Sequence, residues 1–110
     1  MAIPHARSGQ VVDILSTAGS LPSDLSYAVF KSDQLEVMRL VLPAGKAFPP
    51  HCVAGEITVQ CLSGSVELDL GGARQVLRAG QLAYLEGGVP HALVGLDDAN
   101  VLVTIVLCRP

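Results

Sequence analysis

Apolar positions recur with a period of two along most of this chain, and sustained runs at the helical period of 3.6 are missing. Ile57, Val59 and Cys61 share one face, with Glu56, Thr58 and Gln60 on the other. Val66, Leu68 and Leu70 alternate with Glu67 and Asp69. Val101, Val103, Ile105 and Leu107 form a last run rich in β-branched residues. Leu35, Val37, Arg39 and Val41 alternate with Glu36, Met38, Leu40 and Leu42, which predicts a strand buried on much of both faces.

The breaks between these runs are short and turn-like. Ser63-Gly64 separates two of them, and Gly71-Gly72 sits where a two-residue hairpin needs positive φ. Gly87-Gly88-Val89-Pro90 and Asp97-Asp98-Ala99-Asn100 mark two more turns. Connections this short leave no room for helical crossovers, so the strands must be antiparallel. About nine or ten short strands at this spacing describe an all-β sandwich or barrel.

The N-terminal stretch reads differently. Val11 to Leu15 suits a short strand, and Pro22 suits a helical turn near Leu21–Asp24. Residues 1–26 are therefore expected as an arm on a barrel formed by residues 27–110, within one domain. A faint repeat runs through the barrel. Pro43-Ala44-Gly45 leads to His51, and Arg78-Ala79-Gly80 leads through Pro90 to His91. Two such units in tandem are the pattern of a double Greek-key jelly roll.

Composition narrows the function classes. Of 110 residues, 50% are apolar and 15% charged, so the chain can bury a core and is not disordered. Aromatics are only 4% and Trp is absent, which leaves Val, Leu, Ile and Ala to build that core. Seven basic against ten acidic residues give a net charge of −3. Arg7, Arg39, Arg74, Arg78 and Arg109 are scattered, so no basic stripe for nucleic acid forms. The apolar runs fall short of the ~20 residues that span a bilayer, so no membrane partner is expected. The first residues carry no apolar leader, and Cys52, Cys61 and Cys108 show no CxxC spacing. Buried reduced thiols and a cytoplasmic location are the expectation.

Two segments carry a family resemblance. The first reads Gly45-KAFPP-His51-Cys52-Val53-AGEITVQCLS-Gly64, the second Gly80-QLAYL-Glu86-Gly87-Gly88-Val89-Pro90-His91-ALV-Gly95. In this order they resemble the two motifs of the cupin superfamily, which implies a double-stranded β-helix, or jelly-roll barrel, with a small-molecule pocket at its mouth. In metal-binding cupins two His and one Glu of the first motif, with the His of the second, hold a divalent transition metal. Fe, Mn, Ni, Cu or Zn would suit imidazole and carboxylate donors. His51 and His91 occupy the outer two of these positions. Val53 stands at the second His position, and counting back from Gly64 places Ile57 at that of the Glu. Glu56, one residue earlier, points away from the interior by strand parity, and a β-bulge would be needed to turn it in.

Two readings follow. One is a barrel that binds a small organic molecule near His51 and His91, with Tyr84 as a further contact and a degenerate metal site. The alternative is a metal-dependent enzyme of dioxygenase, isomerase or decarboxylase type, with His51, His91 and Glu56 as ligands. The resemblance and the surplus apolar surface point to a homodimer under either reading.

Overall fold

A computed structural model describes residues 6–14 and 26–107, with the backbone alone at residues 49–51. The described residues form nine strands: β1 (Tyr27–Lys31), β2 (Leu35–Leu42), β3 (Ala47–His51), β4 (Ile57–Ser63), β5 (Ser65–Leu70), β6 (Ala73–Arg78), β7 (Leu82–Leu85), β8 (His91–Gly95) and β9 (Ala99–Val106). They form a five-stranded sheet in the order β1-β2-β9-β4-β7 and a four-stranded sheet in the order β3-β8-β5-β6. Every pairing is antiparallel, as the short connections require. The all-β jelly roll expected from the sequence is the observed architecture, and no helix in the described residues is long and apolar enough to cross a membrane.

The period-two pattern becomes the two faces of each sheet. Leu40, Leu42, Ile57, Val59, Cys61, Val101, Val103 and Ile105 of the larger sheet pack against Val66, Leu68, Leu77 and Leu93 of the smaller one. Register arranges the larger sheet's inner face in rows across the strands. Ile57 pairs with Ile105 in one row, Met38, Val103 and Val59 form the next, and Leu40, Val101 and Cys61 the third. Val59, Cys61, Val66 and Val101 have no exposed surface, so hydrocarbon fills the barrel beyond the second row. The thiol of Cys61 belongs to this filling, and burial pushes its pKa up. Cys52, in contrast, is exposed in the loop after β3, which departs from the expectation of buried thiols; Cys108 lies outside the described residues.

Toward its C-terminal end β2 is buried on both faces, as its composition predicts. Arg39 and Val41 are covered on the outer side, Leu40 and Leu42 on the inner. The Arg39 guanidinium donates to Asn100 Oδ1 and lies over the Tyr27 ring, while Asn100 Nδ2 donates to Ser63 Oγ at 2.9 Å. This chain of contacts ties β1, β2, β9 and β4 together across the outer face.

The N-terminal segment attaches at β1, where the Ala6 amide donates to the Val29 carbonyl at 2.8 Å. Residues 11–14 hold no strand, against the expectation for Val11–Leu15. Val11 is 93% exposed, so an apolar run alone brought no pairing partner. Leu15 and the helical turn expected near Leu21–Asp24 lie outside the described residues.

Candidate functional site

The inner face is not filled at the end of the barrel marked by the Ile57–Ile105 row. A cleft opens there between the two sheets. It is lined by Met38 and Leu40 of β2, Phe48 of β3, Val53, Ile57 and Val59, His91 and Leu93 of β8, and Val103 and Ile105 of β9. Nine of these ten side chains are hydrocarbon or thioether, and His91 supplies the polar edge. No Asp, Glu, Lys or Arg among the described residues lines it.

Local structure fixes His91 in this wall. It opens β8 and shares the inward face with Leu93, two residues on, and it is 6% exposed. The preceding turn docks on the loop after β3, with the Gly88 amide donating to the Val53 carbonyl at 2.8 Å. Close approach at this point depends on Gly87. A Cβ there would stand 2.2 Å from the Ala54 carbonyl oxygen, closer than any side chain tolerates. The same turn orients the imidazole, whose Nδ1 lies 3.1 Å from the Val89 carbonyl oxygen. A carbonyl only accepts, so Nδ1 carries the hydrogen and Nε2 is the basic nitrogen of the neutral ring.

His51 ends β3, and the register pairs its Cα with that of His91 across an irregularity in the β3–β8 ladder. The two sequence-predicted histidines are thus neighbours on adjacent strands at the mouth. The His51 side chain lies outside the described residues.

Glu56 and Tyr84 sit elsewhere. The β4–β7 and β4–β9 ladders run in unbroken register from Ile57 to Gln60, so no bulge turns Glu56 inward. Both residues are on the outer face of the larger sheet, where the Tyr84 hydroxyl donates to Glu56 Oε1. Tyr84 is 57% exposed and is absent from the cleft lining, which corrects the expectation that it contacts a ligand there. Parity is the reason: Tyr84 pairs with Thr58, an outward position, while the inward positions beside it are Ala83 and Leu85. The hydrogen bond to Glu56 comes first among the causes that hold the Tyr84 phenol above its ordinary pKa. In Glu56→Gln the Tyr84 ring resonances are therefore expected to titrate at lower pH than in the parent, read by NMR. An unchanged titration would show that the pair does not form.

The donor set does not fit a transition metal of the kind the motifs suggest. Val53 and Ile57 line the cleft with hydrocarbon at the two positions where a second His and a Glu would stand. Glu56 is engaged on the opposite face, and the described residues contain no cluster of three His, Cys, Asp or Glu side chains able to hold an ion. No step of a metal-dependent reaction follows from such a wall. Sequence reasoning passed over Met38 and Phe48 as parts of the site. Met38 was legible as a cleft residue from its parity with Leu40, whereas Phe48 lies in a Pro-containing segment without alternation.

Comparison with known proteins agrees with this architecture. The cupin domain family matches residues 38–107. No curated protein matches the chain. Among solved structures, an RmlC-like cupin from Desulfovibrio desulfuricans is 24% identical with a TM-score of 0.77, over 88% of this chain and 96% of that one. A conserved protein of unknown function from Streptococcus pyogenes is 21% identical with a TM-score of 0.73, over 94% and 100% of the two chains. The DMSP lyase DddQ from Ruegeria pomeroyi is 27% identical with a TM-score of 0.67, over 74% of this chain and 46% of that protein. With two antiparallel sheets, a mouth flanked by the second motif's His91 and a family match over most of its length, this chain belongs to the cupin family.

Proposed function

We propose that this cupin binds a small organic molecule in the cleft beside His51 and His91, as a binding or accessory protein. The observation that carries the reading is the lining itself: a concave, apolar wall with one polar edge is the usual make-up of a small-molecule site. His91 is held by the Val89 carbonyl and the packed turn before it, so the polar edge is preorganised. The resemblance to a lyase supports fold-level kinship only, because one barrel hosts many functions. The alternative, a metal-dependent enzyme, is disfavoured by hydrocarbon at positions 53 and 57.

The test is a panel of short aliphatic alcohols, ketones and small arenes against the full chain and Val53→Phe. Val53 is only half-buried, so a larger ring there narrows the cleft without repacking the core. Binding by the parent that Val53→Phe weakens at least about tenfold is expected. Binding unaffected by Val53→Phe would place the molecule elsewhere.

The homodimer that the resemblance and the surplus apolar surface imply belongs to the same proposal. Leu82, Tyr84 and Val106 lie on the outer face of the larger sheet at 60%, 57% and 42% exposure, and a second copy would cover such a surface. Sedimentation equilibrium should return twice the chain mass at micromolar concentration. A single-chain mass would remove the dimer and leave the cleft reading intact.

A further inference from the structure

We infer that the cleft selects an uncharged ligand and rejects the anionic or cationic form of the same skeleton; this rests on the binding reading above. The inference comes from what the wall offers a charge. Among the described lining residues nine of ten have no group that can pair with an ion, and an unpaired charge moved from water into such surroundings loses more hydration than the wall returns.

His91 does not change this balance. Its Nδ1–H is directed to the Val89 carbonyl, so one ring nitrogen is committed to the fold. A carboxylate placed beside the ring would still face hydrocarbon from the other described lining residues. Among the described residues no Lys or Arg reaches the cleft either. Arg39 stands between the cleft residues Met38 and Leu40 on β2, but parity turns it to the outer face, onto Asn100 and Tyr27. For an ammonium ligand the described residues of the wall include no carboxylate. The nearest in sequence, Glu56, accepts from the Tyr84 hydroxyl on the far side of β4. A transition metal could supply the missing positive charge to an anionic ligand, but Val53 and Ile57 remove two of the donors needed to hold one. The hydrocarbon that excludes a metal is therefore also what sets the charge preference.

The experiment uses three probes of one branched skeleton: isoamyl alcohol, isovalerate and isoamylammonium. Each is titrated at neutral pH into the full chain and into Val53→Phe, with methyl NMR shifts at Ile57, Val59, Leu93, Val103 and Ile105 as the readout. The alcohol is expected to bind at least about tenfold more tightly than either ion, a difference of about 1.4 kcal/mol. Isovalerate or isoamylammonium binding as tightly as the alcohol, with shifts at the same methyl groups, would overturn the charge preference and leave small-molecule binding standing. None of the three moving the cleft methyl groups would overturn the binding reading and the charge preference with it.

Discussion

Replacing Gly64 with Ala is expected to cost about 3–5 kcal/mol, the sum of left-handed backbone strain and a backbone clash. Gly64 has a φ of +73° where the chain leaves β4 in one sheet and enters β5 in the other. A Cβ there would lie 2.1 Å from the Asp98 carbonyl oxygen and 2.8 Å from the Ala99 Cα. Neither atom can yield cheaply, because this crossing is tied down on all sides. The Leu96 and Asp97 amides both donate to the Ser65 carbonyl, Ser65 Oγ donates to Asp97 Oδ2 at 2.8 Å, and the Ala44 amide donates to Asp98 Oδ1 at 2.9 Å. Gly45→Ala is the informative control. Its φ is +83° but its Cβ would meet nothing within 4 Å, so only the strain of about 1–2 kcal/mol applies. Urea unfolding midpoints at constant m-value would separate the two. Equal losses at both positions would mean that the β4–β5 crossing does not pack against the β8–β9 turn.

Ile57→Glu is the second substitution with a large expected effect, about 3–5 kcal/mol at neutral pH, from lost apolar burial and a carboxylate set in hydrocarbon. Ile57 is 3% exposed and lines the cleft. Burial there raises the folded-state pKa of the new carboxyl above its unfolded value of about 4.3. The folded state then binds the proton more tightly than the unfolded one. The stability linked to that proton is fully present below about pH 4.3 and is lost as pH rises through the folded pKa. The deficit relative to the parent should accordingly be smaller at pH 4 than at pH 7. Thr58→Glu, one residue along on the outer face, should change stability by less than about 1 kcal/mol at either pH. Similar costs at positions 57 and 58 would contradict the parity that separates the cleft from the outer face.

That parity is also the part of the structure most legible in the sequence. β4, β5 and β9 announce themselves because each has one face in the core, so Ile57, Val59, Val66, Leu68, Val101 and Val103 recur at alternate positions. β1 and β6 carry almost no such signal. They are edge strands with one buried residue each, Val29 and Leu77, and their pairing is set by neighbours and turns rather than by their own pattern. The positions of His51 and His91 came from a family resemblance, and the register of β3 with β8 makes them neighbours. Arg39 stands in the sequence as one of several scattered cations, on a strand whose pattern predicts burial on much of both faces. Nothing local in the sequence shows that an arginine at an outward strand position will be 2% exposed, because that burial depends on Tyr27, twelve residues earlier, and Asn100, sixty-one residues later. Tyr84 shows the converse error. A hydroxyl near the second motif suggests a ligand contact, but one residue of register decides which face it serves.

The most direct test of the account is where a small uncharged molecule binds. Methyl-labelled protein titrated with isoamyl alcohol should shift the resonances of Ile57, Val59, Leu93, Val103 and Ile105 together along one saturating curve, while Leu82 and Val106 on the outer face stay in place. Saturating shifts confined to Leu82 and Val106 would mean that the apolar surface of the larger sheet, and not the cleft beside His91, is the binding site.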